Sequence, residues 1–258
     1  MNNTTIIIHT RNEERNIEDC INSAKLLTEE IMLIDMESTD KTVEIARNLK
    51  VLVSNFPRSH YVEPAREFGI SQSKTDWVLI LDADERITKE LTDEIKSVIR
   101  NSQFSNYKIP RKNIFGNPPA GGWLKYGGWW PDYQIRLVNK KYFIRWPKRI
   151  HSTPQIKGDF GYLENPLIHY FHGDLTSMVK KTVIFEDIES NLLLKAKKTS
   201  GTKTFFRKYL AELYRRLIKN LGFLDGPFGI IESIYQAFSK TITYLFLYEK
   251  QNKKGRSL

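Results

Sequence analysis

The sequence predicts an α/β protein, in which a mostly parallel, twisted sheet flanked by helices is continued by a helical extension at the C-terminal end. Three observations carry this. Strand and helix signals alternate over about the first 80 residues, the pattern of right-handed β-α-β units. The strand candidates are apolar without in–out alternation, as strands buried on both faces are. The most apolar of them, Trp77-Val78-Leu79-Ile80-Leu81, stops abruptly at Asp82-Ala83-Asp84-Glu85. That places carboxylates at a strand's C-terminal tip, the edge where open α/β sheets bind ligands.

In order, residues 4–9 form an Ile-rich buried strand, and 14–27 a helix with Ile17, Ile21, Ala24 and Leu27 in one stripe. Residues 30–35 form a second strand ending in an acid. Ser38, Thr39 and Asp40 offer N-caps to a helix running through Val43, Ile45, Ala46 and Leu49. A third strand at 51–54, a helix at 64–73 and the fourth strand at 77–81 follow, and Glu85 is expected to open a helix reaching Arg100. Strands are expected at 107–114 and 134–138. Between them, residues 115–132 are too rich in Gly, Pro and Trp for regular structure. Its tryptophans either line a sugar- or ring-binding cleft or plug the edge of the core.

From Thr176 the chain reads as helical, with a break at 199–202 and further helices at 205–221 and 228–250. The second of these sets Phe206, Tyr209, Leu210, Leu213, Leu217 and Leu221 on one face and Arg207, Lys208, Arg215, Arg216 and Lys219 on the other. Such a helix beside an aromatic-rich one suits an in-plane membrane anchor. Packing on a core or oligomerisation gives a similar pattern.

The 258 residues, 40% of them hydrophobic, suffice for one large domain or a domain with an appendage, and we divide them as 1–174 and 175–258. The lone Cys20 excludes an internal disulfide and fits a reducing compartment; on its apolar stripe it reads as a core thiol. Residues 1–5 lead straight into a strand, so no signal peptide is expected, and the apolar run 241–248 is too short to span a bilayer. The net charge of +10 is uneven. Residues 1–174 carry 24 Lys and Arg against 23 Asp and Glu, whereas residues 175–258 carry 16 against 7. A basic third of this kind attracts an anionic partner, a membrane or a nucleic acid, or is simply a solvated face. No nucleic-acid signature accompanies it, so nucleic acid is not expected.

Close-packed acids repel unless a cation sits among them, which makes a divalent metal the natural counterion at residues 82–85. The alternative is an acid that merely favours a helix N-terminus.

Asn12-Glu13-Glu14, Asp35-Met36-Glu37-Ser38-Thr39-Asp40 and Asp82-Ala83-Asp84-Glu85, each following a strand, resemble family 2 glycosyltransferases. So does Ala65-Arg66-Glu67-Phe68-Gly69-Ile70. Three later segments are similar to the branch that includes bacterial lipopolysaccharide-core β-glucosyltransferases: 128–137, Leu167-Ile168-His169-Tyr170 and Gly222-Phe223-Leu224-Asp225-Gly226.

The resemblance implies a GT-A fold, a nucleotide-diphosphate sugar donor such as UDP-glucose, and inversion at the anomeric carbon. It implies that Asp82 and Asp84 hold a Mn²⁺ or Mg²⁺ ion, Asp84 directly and Asp82 nearer the ribose, and that Thr10, Asn12, Glu13 and Asp35 hold base and ribose. Arg66 meets a phosphate or makes an ordinary ion pair. His169 joins the metal or diphosphate site or is a core histidine. The acceptor is expected to be a lipid-linked or lipopolysaccharide glycan, reached by a peripheral protein on the cytoplasmic face of the membrane. Inversion also needs a general base. Relatives show His-Glu where this chain has His151-Ser152, so His151 or Asp132 is the expected substitute. A chain that kept the fold and lost the chemistry is the alternative. A nucleotidyltransferase is disfavoured because no Gly-rich phosphate loop follows the first strand.

Overall fold

The computed structural model describes residues 3–59, 61–101, 103–116, 121–148, 152–172 and 175–254. They form two compact units, Met1–Lys112 with Asp132–His169, and Asn113–Pro131 with Tyr170–Leu258.

The first unit opens with β1 (Thr4–Thr10), α1 (Ile17–Ala24), β2 (Ile31–Asp35), α2 (Thr42–Asn48), β3 (Leu52–Asn55), α3 (Glu63–Gln72) and β4 (Trp77–Asp82). After these come β5 (Glu85–Arg86), α4 (Lys89–Arg100), β6 (Asn106–Phe115), then β8 (Asp132–Asn139), β9 (Phe143–Arg145), β10 (Gln155–Ile156), β11 (Phe160–Tyr162) and β12 (Leu167–His172), while the short β7 (Gly122–Trp123) belongs to the second unit. The sheet runs β3-β2-β1-β4-β8-β6-β12-β5. Its first four strands are mutually parallel, and β8 joins antiparallel to β4.

Unbroken apolar strands suit this sheet because both faces are covered. On one face Ile6, Ile8, Leu33, Leu79 and Leu81 pack with Ile17, Cys20 and Ile21 of α1 and with Leu91 and Ile95 of α4. On the other, Ile7, Ile34, Val78 and Ile80 pack with Ala65 and Ile70 of α3 and with Trp146. Gly69 lets α3 approach β1 closely, since a Cβ there would meet Ile7 Cγ2 at 2.7 Å. Cys20 is fully buried, and burial pushes its thiol pKa up, as a core thiol requires.

One local expectation is corrected. Glu85 does not open a helix: with Arg86 it forms β5, paired antiparallel to Ile168 and His169. The helix begins at Lys89, where the Thr88 hydroxyl accepts from the Leu91 amide (3.2 Å), a standard N-cap that out-competes an acid at the turn. α2 starts at Thr42, whose amide donates to Asp40 Oδ1 (3.0 Å), so the expected acid does serve the helix start, while Ser38 Oγ accepts from the Asn12 amide instead.

The second unit contains α5 (Leu175–Lys195), α6 (Thr202–Leu213) continued by a π-helical turn Tyr214–Lys219, and α7 (Gly226–Lys254). Trp129 packs with Phe115, Leu124, Met178, Phe228 and Tyr235, and Arg216 lies over its ring at 4.9 Å. The Asp225 carboxylate accepts from the Tyr126 amide (2.8 Å), so the Gly222–Asp225 turn pins the Trp-rich segment. Of the two readings of that segment, Trp129 takes the structural one; Trp123 stays exposed. No helix among the described residues is long and apolar enough to cross a membrane.

Candidate active site

In the first unit β1 is flanked by β2 on one side and β4 on the other, so the chain reverses direction across the sheet there. Ligands of open α/β sheets bind at the strand ends beside such a switch. Thr10 and Asp35 end β1 and β2 in direct register, and Asp82 is paired with His9.

Thr10 and Asp35 are both buried, and each carries an unsatisfied atom. Asp35 Oδ2 accepts from the Ser38 amide (3.0 Å), whereas Asp35 Oδ1 and Thr10 Oγ1 have no hydrogen-bond partner among the described residues. Buried polar groups are nearly always paired, so two orphans side by side mark a place for a polar ligand.

Asn12 and Glu13 are used differently. The Asn12 amide donates to Ser38 Oγ (2.9 Å) and its Oδ1 accepts from the Thr39 amide (2.7 Å). The Glu13 amide donates to Thr42 Oγ1 (2.8 Å), and its carboxylate accepts from Asn16 Nδ2 (2.7 Å). These residues staple the loop after β1 to the loop after β2, which fixes the rim around Thr10 and Asp35.

The acid cluster holds its own cations. Arg66 of α3 places Nη2 3.0 Å from both oxygens of Asp82. Arg136 of β8 donates through Nη2 to Asp82 Oδ2 and to Glu85 Oε1, both at 2.5 Å. Glu85, fully buried, also accepts the Asp82 amide (3.0 Å), with Arg111 Nη1 3.6 Å from its Oε1. Burial alone would raise the Asp82 pKa. Arg136 first and Arg66 second outweigh it and hold the carboxyl well below its usual range. The same acids hold the buried Arg136 firmly protonated against burial. His9, enclosed beside Arg66, has its pKa lowered from 6.5 to about 3, chiefly by burial, and is a neutral imidazole.

Asp82 and Glu85 therefore have guanidinium counterions, Arg136 and Arg66 with Arg111 nearby, so their mutual repulsion does not by itself call for a metal. Asp84 Oδ1 lies 3.6 Å from His169 Nε2. Among the described residues no three His, Cys, Asp or Glu side chains converge on a point. A carboxylate and an imidazole fit a Mg²⁺- or Mn²⁺-type ion only if substrate oxygens complete the shell, the usual arrangement for phosphate-bound Mg²⁺.

Asp132 begins β8, and its Oδ2 accepts from Arg111 Nη2 (2.6 Å) and Nε (2.9 Å). Its Oδ1 accepts from Gln134 Nε2 (2.8 Å). His151 lies outside the described residues. Sequence reasoning passed over Arg111 and did not single out Arg136. The signal was present: an arginine inside the apolar run Ile135-Arg136-Leu137-Val138 is tolerated when a buried acid awaits it.

Four parallel strands, an antiparallel β8 and acids at the strand tips define an α/β fold of the GT-A type. S. aureus TarS 1–349, solved in complex with UDP-GlcNAc, has the same fold, with a TM-score of 0.51 at 16% identity, covering 98% of this chain and 92% of that one. The family model for glycosyl transferase family 2 matches residues 5–153, more than half of the chain, and the protein belongs to that family. A Rickettsia bellii glycosyltransferase is 42% identical over 247 residues, covering 90% of this chain and 82% of the relative. A Rickettsia typhi glycosyltransferase is 28% identical over 257 residues, covering 93% and 85%.

Proposed function

We propose that this family 2 glycosyltransferase moves a hexose from a nucleotide-diphosphate sugar, UDP-glucose or a close analogue, to a lipid-linked or lipopolysaccharide glycan. Transfer proceeds with inversion at the cytoplasmic face of the membrane. The observation that carries the donor assignment is the orphaned pair Thr10 Oγ1 and Asp35 Oδ1 at the strand-end switch. A base or ribose offers the donors and acceptors these atoms lack. The UDP-GlcNAc complex of TarS, which has the same fold, supports the choice of nucleotide sugar.

The chain's own residues supply the rest of the chemistry. Asn12 and Glu13 keep the nucleotide rim rigid, so binding requires little loop ordering. Asp82, clamped by Arg66 and Arg136, is a fixed anion able to accept from ribose hydroxyls without moving. Asp84 and His169 would hold a divalent cation, which supplies positive charge against the departing diphosphate.

Inversion requires removal of the acceptor hydroxyl proton on the face opposite the leaving group. We assign this to Asp132. Its pairing with Arg111 holds the carboxylate in place. His151 is the second candidate.

Labelled UDP-glucose, Mn²⁺ and an envelope glycolipid extract test the reading. The expected result is label in the lipid fraction with opposite anomeric configuration. If donor binds but neither transfer nor hydrolysis occurs with any nucleotide hexose, the protein has kept the fold without the chemistry.

A further inference from the structure

The helix α6 and its π-helical continuation carry apolar residues on two sides, of which the described residues cover one. There, Phe205 meets Tyr248 of α7 edge-on at 5.7 Å and Lys208 lies over Tyr244 at 4.8 Å. On the other, Phe206, Leu210, Tyr214 and Ile218 recur every fourth residue and are 66%, 60%, 60% and 49% exposed. Scattered exposed apolar residues are ordinary, but a continuous line of large ones marks a contact surface.

A second row runs beside the first, about one residue round the helix. Lys203, Arg207, Arg215 and Lys219 are all exposed. The one acid from 202 to 219, Glu212, is half-buried and held by Arg215 and Arg216. The outer face of α6 therefore combines an apolar ridge with cations and presents no free anion.

We infer that this face lies in the plane of an anionic lipid bilayer. Phe206, Leu210, Tyr214 and Ile218 enter the headgroup boundary, and the Lys/Arg row meets the lipid phosphates. The inference deepens the reading of the acceptor as membrane-borne and rests on that reading for its purpose. Charge selects the occupant. A second copy docked symmetrically on this ridge would set the cationic row against itself with no acid to answer it, whereas an anionic bilayer neutralises every member.

The test is sedimentation of the full chain with vesicles of phosphatidylcholine, alone or mixed with phosphatidylglycerol. Binding is expected to the mixed vesicles only. The exposed pair Phe206→Gln/Leu210→Gln should weaken it by roughly tenfold or more, and Lys203→Gln/Arg207→Gln/Lys219→Gln by roughly 10- to 100-fold at low salt. Because Cys20 is fully buried, a polarity-sensitive dye on Leu210→Cys reports this face alone. Its emission should shift to the blue on mixed vesicles and not on phosphatidylcholine. Unchanged binding by both variant sets, an unshifted dye, or a dimer dissolved by Phe206→Gln/Leu210→Gln would overturn the inference. Nucleotide-sugar binding measured without vesicles separates the two readings. Donor binding with indifference to vesicles sinks the membrane face alone, and vesicle binding without donor binding sinks the transferase reading alone.

Discussion

Arg136→Met probes the charge balance at the heart of the site. Arg136 is 2% exposed and bonds Asp82 and Glu85 through one nitrogen at 2.5 Å to each; Glu85 is fully buried. Removing one partner of a buried ion pair costs about 3–5 kcal/mol, because the remaining charge is left desolvated. Arg66 still serves Asp82, and Arg111 stands 3.6 Å from Glu85, so the lower end, about 3 kcal/mol, is expected. That is a large share of a typical domain's stability. The pH dependence carries a definite sign. The depressed Asp82 pKa contributes stability that is present above the unfolded value of 3.8 and is lost as pH falls through the folded value. In Arg136→Met the orphaned acids relieve themselves by taking up protons. The gap between parent and variant is therefore widest at neutral pH and narrows in acid. Urea unfolding across that range measures it. A loss below about 1 kcal/mol at neutral pH, or a gap that stays constant into acid, would refute the idea that buried guanidinium groups balance the cluster.

Three further outcomes follow from the same geometry. His9, at about 3 when folded and 6.5 when free, contributes stability that is fully present above 6.5 and declines as pH falls toward 3, by up to about 5 kcal/mol; His9→Gln should flatten that decline in melts between those limits. Asp35→Ala should weaken UDP binding roughly 10- to 100-fold in calorimetry, since it deletes an acceptor whose Oδ1 has no partner among the described residues. Asp132→Asn should lower kcat by about 100-fold or more and leave the donor Kd unchanged, and equal losses in both would assign Asp132 to donor binding.

The first half of the fold was legible because β1, β2 and β4 are buried, mostly aliphatic runs and α1 carries a single apolar stripe; β1 to β4 fall within one or two residues of expectation. The end of β4 was misread because Glu85 suits a helix N-terminus by propensity, while its buried bonds to Arg136 and the Asp82 amide fix it as a strand and hub. The bond to Arg136 links residues 51 positions apart, a separation to which local pattern is blind. The same limit explains the metal premise, since Arg66, Arg111 and Arg136 converge on Asp82 and Glu85 only through tertiary structure. On α6, periodicity found both an apolar and a basic face but could not tell which apolar residues turn outward. Tyr209 and Leu213 are half-covered, whereas Phe206 and Leu210 face solvent.

The most direct measurement is calorimetric titration of the protein with UDP-glucose and UDP-GlcNAc, with and without Mn²⁺, repeated on Asp84→Asn. The account predicts binding of at least one donor, strengthened by Mn²⁺ in the parent and indifferent to Mn²⁺ in Asp84→Asn, with residual affinity supplied by Asp35 and Thr10. A parent that binds no nucleotide sugar under either condition would contradict the account at its centre.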